Sequence, residues 1–278
     1  MLIDGNTGLI AHLGFPTHSF KAPMIYNPYF ESIGENAVVV PMGCRPDAFE
    51  EVLRGVFRLE NIRGALITMP HKVAVVGLLD EASRAVRVAG ACNAVKRTAD
   101  GRLAGDMFDG EGFVRGLSRK GLVLTGARAL VVGCGGVGSA IAASLAEARV
   151  GAIALFDVDA GSASSLAQRL RTHYPEVDVT TGSNDPMGVD LVVNATPLGM
   201  NAGDPLPIDM SRLAPSTFVG EVVMKTEMTA FLAQAQTRGC RIQVGTDMLF
   251  EMIPPYLEFF GFPTATPEQL RSVARVHY

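Results

Sequence analysis

A glycine-rich stretch, VVGCGGVGSAIA, occupies residues 131–142 of the chain. It places Gly133, Gly135 and Gly138 in G-x-G-x-x-G spacing, between the apolar run ALVVG and a run of small residues. In such a unit the first glycine permits a tight turn, the second lets a pyrophosphate approach the backbone, and the third lets the helix pack on the strand. The N–H groups at the start of the helix then attract phosphates. The stretch therefore predicts a strand–turn–helix unit that binds a dinucleotide.

An aspartate follows this unit at the end of the next predicted strand, AIALFD. It is Asp157, 19 residues beyond Gly138, and the first basic residue after it is Arg169. A carboxylate there accepts hydrogen bonds from both ribose hydroxyls of the adenosine and repels a 2′-phosphate. We therefore expect NAD to be preferred over NADP. The alternative is that Asp157 caps the strand end or the turn after it.

Apolar and amphipathic segments alternate along the whole chain. Before residue 110, NAVVVPM and GALITMP are typical of strands, DAFEEVLRGVFRLE of a helix, and ACNAVKRT with DGRLAGDM of a hairpin. Later, the strands VGAIALFDV, VDVTT, VDLVVNAT and STFVGEVV alternate with helices, which is typical of a parallel doubly wound sheet. Near the end, the helical segment MLFEMIPPYLEFFG is expected to break at Pro254 and Pro255.

These patterns predict an α/β protein of two domains. We expect an N-terminal α/β substrate-binding domain over residues 1–109 and a Rossmann-type doubly wound NAD-binding domain over residues 110–244. The C-terminal helices, residues 245–278, are expected to return to the substrate-binding domain. A crevice between two such domains is where ligands bind.

Charge and composition exclude several classes of partner. The net charge is −4 with no basic run, which argues against nucleic acid and anionic membranes as partners. No apolar stretch approaches the roughly 18 residues of a membrane helix, and the N-terminus lacks the pattern of a signal peptide. The four cysteines show no metal-binding spacing and are typical of free thiols. We expect a cytoplasmic monomer or homodimer that binds a small molecule and no metal.

Six motifs in order resemble those of the shikimate dehydrogenase family, over nearly the whole chain. GFPTHSFKAPMIYN resembles the family's G-x-P-x-x-H-S-x-S-P-x-x-H-N with one extra residue, and ITMPHK resembles N-V-T-x-P-x-K. VAGACNAV is similar to G-A-V-N-T, and GDMFDGEG to G-x-N-T-D-x-x-G. NATPLGM matches N-A-T-x-x-G-M, and TDMLFEMI is similar to G-M-L-x-x-Q.

The resemblance implies a reaction and a pair of catalytic residues. A secondary ring alcohol loses hydride to the nicotinamide while its hydroxyl proton passes to a base. Lys72 would be that acid/base group, hydrogen-bonded to Asp109. The two residues lie 37 positions apart. Taken singly, each is typical of a solvated charge, and the motifs around them carry the assignment.

The resemblance also implies the binding residues. Ser19 and Thr68 would bind a substrate carboxylate with Lys21 in a supporting role, Asn93 would bind ring hydroxyls, and Met252 stands at a substrate position. Alternatively, Ser19 is a turn or cap residue, Thr68 a plain strand residue, Asn93 a buried turn residue and Lys21 an exposed lysine. The implied cofactor-binding residues are Gly133, Gly135, Gly136, Val137, Gly138, Asp157, Asn194, Thr196, Pro197, Gly199, Met200, Val222, Gly245 and Met248.

Several substrate positions depart from the family's pattern. Lys21 or Ala22 stands where the family has a second serine, and Leu66 stands where it has asparagine. The remaining departures are Met107-Phe108 for Asn-Thr, Met224 for tyrosine and Met252 for glutamine. Each removes a polar group that would hold a ring hydroxyl, so the pocket is expected to be more apolar.

Three functions remain open at this point. The first is a dehydrogenase of a shikimate- or quinate-like cyclic hydroxy-carboxylate, working with NAD. The second is the same chemistry on a less hydroxylated cyclic acid or an amino analogue. The third is a sensor that binds NAD without turnover. Retention of both Lys72 and Asp109 argues against the sensor, because binding alone needs no proton-transfer pair.

Overall fold

The computed structural model describes residues 2–276 and divides the chain into two compact units. The first unit comprises Met1–Phe108 and Ile253–Tyr278, and the second Asp109–Met252. The sequence patterns put the two divisions after residues 109 and 244. The first division of the structure lies one residue earlier, after Phe108, and the second lies after Met252, inside the helix Gly245–Phe260 that begins at the predicted boundary.

The first unit contains a six-stranded mixed sheet of order β2-β1-β3-β5-β6-β4. Strand β1 pairs in parallel with β2 and β3, and β5 pairs antiparallel with β3 and β6. The predicted hairpin is therefore present, and Gly101 in its turn has a φ of 87°. The strands are β1 (Gly8–Gly14), β2 (Ala37–Gly43), β3 (Ile62–Ile67), β4 (Glu81–Ala82), β5 (Ala94–Arg97) and β6 (Leu103–Asp106).

Local signals explain where the helices of the first unit begin and end. Pro23 opens the first helix, and Gly34, with a φ of 69°, ends it. Ser83 caps the third by accepting a hydrogen bond from Val86 N–H. The helices of this unit are α1 (Pro23–Ile33), α2 (Phe49–Val56), α3 (Arg84–Ala89) and α9 (Pro267–Val273), with 3₁₀ helices at Thr17–Ser19, Pro46–Ala48 and Ala74–Leu78.

The second unit is the doubly wound domain that the sequence predicts. Its six strands are all parallel, in the order β12-β11-β10-β7-β8-β9, which is the Rossmann order with β7 as its first strand. The strands are β7 (Arg128–Val132), β8 (Ala152–Phe156), β9 (Asp178–Thr181), β10 (Leu191–Asn194), β11 (Phe218–Glu221) and β12 (Arg241–Gln243). Its helices are α4 (Asp109–Arg119), α5 (Gly136–Glu147), α6 (Ala160–His173) and α7 (Ala230–Thr237), with a 3₁₀ helix at Met210–Arg212.

Helix α8 (Gly245–Phe260) continues through Pro254 and Pro255, so the predicted break is wrong. Each proline removes one N–H donor from the helix. Both prolines are buried, as are Tyr256 and Leu257 directly after them. Packing of this segment therefore outweighs the local preference of proline to end a helix.

Two absences hold for the described part of the chain. No helix within residues 2–276 combines the length and apolar character needed to cross a membrane. Over the same residues, no group of three or more His, Cys, Asp or Glu side chains is arranged to hold a metal ion.

Candidate active site

The glycine-rich turn after β7 has the shape of a pyrophosphate cradle. Gly133 has a φ of 100°, and a Cβ there would lie 2.8 Å from the carbonyl group of Ala195. A Cβ at Gly138 would collide with the carbonyl oxygen of Gly133. At Gly135, the N-cap of α5, a Cβ would meet no described atom within 4 Å. Two glycines are therefore needed for packing, while the third borders open space, as the predicted role of Gly135 beside a pyrophosphate requires.

The other predicted cofactor residues of the second unit follow the carboxyl ends of its strands. Gly136 and Val137 open α5 after β7, and Asn194 ends β10. Val222 follows β11, and Gly245 opens α8 after β12. All these strands are parallel, so their carboxyl ends share one edge of the sheet. The strand order reverses between β7 and β10, which is where dinucleotides bind in such sheets.

The segment of residues 194–200, here called the NATP loop, is held by its own hydrogen bonds. The fully buried Asn194 donates from Nδ2 to the Leu198 carbonyl at 3.0 Å. Its Oδ1 accepts from the Thr196 N–H at 3.1 Å and from the Thr196 hydroxyl at 2.6 Å. Gly199 has a φ of 99° and donates its N–H to Asp204. The loop is thus shaped before any ligand arrives. Pro197 and Met200 lie in it.

Glu221, the last residue of β11, is a buried carboxyl group that the sequence analysis missed. It is fully buried, lies in register with Asn194, and its Oε2 accepts a hydrogen bond from the Thr229 hydroxyl at 2.9 Å. Its Oε1 is buried with no hydrogen-bond partner among the described residues. Burial raises the pKa of Glu221 to about 7. The signal in the sequence is a charged residue inside the apolar run STFVGEVV.

Two predicted cofactor residues have local packing roles as well. Met248 is 3% exposed, and its carbonyl oxygen would lie 2.8 Å from a Cβ placed at Gly112 of α4. A Cβ at Gly245 would collide with the Val223 carbonyl oxygen. Both positions are therefore fixed by the fold of the second unit, whatever their contact with a cofactor.

In the first unit, three predicted residues gather at one edge of the sheet. Thr68 follows β3, and Asn93 precedes the antiparallel β5, so both lie at the same end. The Cys92 N–H donates to the Lys72 carbonyl at 2.8 Å, which fixes the backbone of Lys72 beside Asn93. Asn93 is buried, and its Oδ1 accepts the Phe108 N–H at 3.0 Å.

The remaining predicted substrate residues lie outside this group of three. Ser19 is exposed and donates to the Pro16 carbonyl at 3.3 Å, as a turn residue does. Lys21 is half-buried just before α1, and Met252 belongs to the second unit, where its Cβ would lie 2.6 Å from a Cβ at Gly112.

Apolar side chains fill the positions where the family has polar ones. Leu66 is 4% exposed, Met107 2% and Phe108 6%. The Phe108 ring packs edge-on against Tyr256, with centroids 4.8 Å apart, so it belongs to the aromatic core of the first unit. The predicted loss of polar groups at these positions is thus matched by close apolar packing.

The proposed acid/base residues lie in different units. Lys72 is half-buried in the first unit. Asp109 is 3% exposed and opens α4 as the first residue of the second unit. Their pairing stays a prediction. The neighbouring His71 has a packing role, because its ring stacks on Phe49 at 4.0 Å and its Nε2 lies 2.8 Å from the Cys44 carbonyl oxygen.

Comparison with known proteins decides the family. A family model described as the shikimate dehydrogenase substrate binding domain matches residues 13–95, and a ThiF family model matches residues 118–182. A shikimate dehydrogenase (NADP(+)) of Rubrobacter xylanophilus is 36% identical over 251 residues, which cover 89% of this chain and 88% of the relative. The chain belongs to the shikimate dehydrogenase family. It is accordingly an NAD(P)-dependent alcohol dehydrogenase.

Solved structures agree with this membership. Quinate dehydrogenase from Corynebacterium glutamicum in complex with NAD has a TM-score of 0.85 and 27% identity, covering 96% of this chain and 98% of that one. Ligand-free 5-ketofructose reductase of Gluconobacter sp. strain CHM43 has a TM-score of 0.87 and 25% identity, covering 96% and 97%. The fold of this family therefore serves substrates of more than one kind.

The predicted preference for NAD over NADP is wrong. Five relatives that are 31–36% identical are all named NADP(+)-dependent. The structure explains why Asp157 misled the prediction: one carboxylate oxygen accepts the Cys134 N–H at 2.7 Å and the other accepts the Asp159 N–H at 2.9 Å. These two hydrogen bonds give Asp157 a structural role directly after β8, and this role is sufficient to explain an aspartate at that position. Arg169, discounted as distant, lines a pocket of about 330 Å³ together with Cys134 and Asp159.

Proposed function

We propose that this enzyme interconverts a shikimate- or quinate-like cyclic hydroxy-carboxylate and its 3-oxo form. The observation that carries the proposal is the edge of the first sheet, where Thr68, Lys72 and Asn93 come together beside one another. The relatives named above as shikimate and quinate dehydrogenases support the substrate class. The nicotinamide dinucleotide, when bound, supplies or accepts the hydride.

The chain's own residues would move one proton and orient the substrate. Lys72 takes the proton of the substrate hydroxyl when the alcohol is oxidised and returns it when the ketone is reduced. Asp109 orients the lysine. Thr68 donates a hydroxyl hydrogen bond to the substrate carboxylate, Ser19 does so in place of its hydrogen bond to the Pro16 carbonyl, and Lys21 adds a positive charge. Because Asn93 Oδ1 already accepts the Phe108 N–H, Asn93 meets a ring hydroxyl through its amide N–H groups.

A second candidate keeps this chemistry and changes the substrate. The buried Leu66, Met107 and Phe108 occupy family positions that carry polar groups. A site with apolar groups there loses hydrogen bonds to a hydroxylated ring, so a less hydroxylated cyclic acid or an amino analogue would compete better. The solved 5-ketofructose reductase supports a change of substrate within this fold.

Initial rates test the proposal and separate it from the second candidate. Shikimate and quinate are each assayed with NAD and with NADP, for the wild-type protein, Lys72→Ala and Lys21→Ala. We expect turnover by the wild-type protein. Lys72→Ala should lower kcat by at least about a hundredfold, since general acid–base groups contribute 10²–10⁴-fold. Lys21→Ala, which removes a charge that only binds, should raise KM for the acid and spare kcat.

Each other outcome has a defined meaning. No turnover of either acid, with turnover of a less hydroxylated acid or an amino analogue, would favour the second candidate. Dinucleotide binding without turnover of any alcohol in a broad panel would favour the sensor. Full activity of Lys72→Ala would remove Lys72 from the mechanism.

A further inference from the structure

His12 is a polar residue in the middle of an apolar strand. It lies in β1, within the sequence GLIAHLG, and is 7% exposed. Its ring stacks on Phe20, with centroids 4.0 Å apart and an interplanar angle of 27°. Side chains alternate along a strand, so His12 shares its face of the sheet with Gly14. A Cβ at Gly14 would collide with Thr68, which places the predicted substrate residue on the same face.

The imidazole of His12 has an unmet hydrogen-bonding group. Its Nδ1 is buried and, within residues 2–276, has no hydrogen-bond partner. Leaving such a group unpaired costs about 1–3 kcal/mol, and buried polar groups in native proteins are rarely left so. Burial, and then the positive charge of Lys72, lowers the pKa of His12 to about 3. The ring is therefore neutral at physiological pH and lies within electrostatic reach of the proposed acid/base residue.

The register of the sheet connects His12 with a departure from the family's pattern. His12 pairs with Leu66 of β3, and residues in register on neighbouring strands share a face. Leu66 stands where the family has asparagine. The polar group of the family's pattern is thus absent from β3, and the polar His12 lies directly beside that position on β1. This juxtaposition places a buried side chain with an unmet hydrogen-bonding group beside the position where the family's polar group is missing.

We propose that His12 binds a hydroxyl group of the substrate ring, directly or through one water, and takes over the role of the missing asparagine. A neutral imidazole offers one donor and one acceptor, and a hydroxyl group can both accept and donate. The inference rests on the proposed function, since it assumes a hydroxylated cyclic acid in the first unit. It makes His12 a determinant of which ring hydroxyls the enzyme recognises.

The test removes the polar side chain at position 12 of β1 and restores one at position 66 of β3. His12→Leu, Leu66→Asn and the double variant His12→Leu/Leu66→Asn are assayed with the better of shikimate and quinate. We expect His12→Leu to raise KM for the acid by about tenfold, the cost of one hydrogen bond. Its kcat and its KM for the dinucleotide should change much less. The double variant should recover most of the lost affinity, which a merely structural role of His12 would not explain.

Folding and binding controls keep the outcome clear. Thermal melting of each variant checks the fold, and calorimetric titration with the same acid measures binding without turnover. His12→Gln, which keeps a donor and an acceptor, should stay closer to wild type than His12→Leu. An active wild-type protein whose KM and Kd are unaltered in His12→Leu would refute this inference alone. A wild-type protein that neither binds nor oxidises either acid would refute the proposed function, and this inference with it.

Discussion

Burial shifts two titratable side chains in opposite directions, because it always disfavours the charged form. It lowers the pKa of His12 in the first unit to about 3 and raises that of Glu221 in the second to about 7. Each residue also keeps a buried polar atom without a hydrogen-bond partner in the described chain. Such locally unfavourable positions are expected at functional sites, and each adjoins predicted ligand-binding residues.

Glu221 should make stability depend on pH. Its pKa is about 7 in the folded protein, against an ordinary value of 4.5, so the folded protein binds this proton more tightly. The stabilisation is complete below the unfolded pKa and is lost as pH rises through the folded pKa. Between these values the free energy of unfolding of wild type should fall relative to Glu221→Gln, by at most about 3 kcal/mol.

Urea unfolding across this pH range measures the effect. The exposed carboxyl of Glu60 provides the control, and Glu60→Gln should keep the wild-type slope. Parallel curves for wild type and Glu221→Gln would contradict the prediction. His12 contributes the opposite slope below its unfolded pKa, because its folded pKa is lowered, so the comparison must be made between variants and not on wild type alone.

Single elements were predictable where their signals are local. The strand–turn–helix unit follows from glycine spacing, because Gly138 packs on the turn five residues before it and Gly133 on the adjoining turn at Ala195. The course of α8 through Pro254 and Pro255 was not predictable, because packing of distant residues decides it. Asp157 shows a third case. An aspartate that binds a cofactor and one that accepts hydrogen bonds from the backbone stand at the same position, so the sequence does not distinguish the two roles.

Two glycine substitutions should separate packing from ligand binding in that unit. Gly138→Ala places a Cβ against the Gly133 carbonyl oxygen and should destabilise the protein by about 1–3 kcal/mol. Gly135→Ala meets open space and should melt close to wild type, yet raise KM for the dinucleotide by about tenfold or more. Thermal melting and dinucleotide kinetics check both. Equal loss of stability in the two variants would mean that Gly135 is a packing residue.

Two ion pairs join the C-terminal end of α4 and the residue after it to α8, and they should differ in strength. Arg119 pairs with Glu251, whose side chain is 6% exposed, whereas Lys120 pairs with the more exposed Asp247 at 2.7 Å. Removing the partner of a buried carboxylate costs more than removing that of an exposed one. Arg119→Met should therefore cost about 1–3 kcal/mol of stability and Lys120→Met less than about 1 kcal/mol. Urea unfolding of the two variants measures these losses of stability, and a larger loss in Lys120→Met than in Arg119→Met would contradict the prediction.

At the scale of the whole molecule, the sequence was sufficient to predict the class of fold. It was not sufficient to predict which residues lie side by side in the site. Alternating segments and the six motifs predict an α/β chain with a doubly wound half, and the parallel sheet of the second unit confirms this. The register that brings His12 beside Leu66 depends on strands some fifty residues apart, so no local pattern contains it. The same holds for Glu221, whose burial comes from the packing of a whole sheet.

The distribution of the binding residues over the chain makes a last prediction. Every predicted dinucleotide contact falls within Asp109–Met252, whereas Lys72 and His12 fall outside it. A dinucleotide should therefore stabilise the protein without substrate, by about 2.7 kcal/mol at a concentration of 100 times its Kd. We expect NAD, NADP or both to raise Tm in wild type, Lys72→Ala and His12→Leu alike, and to raise it clearly less in Gly135→Ala, in line with the higher KM expected for that variant. A shift that disappears in Lys72→Ala would show that dinucleotide binding depends on the first unit, and the assignment of cofactor residues to the second unit alone would be wrong.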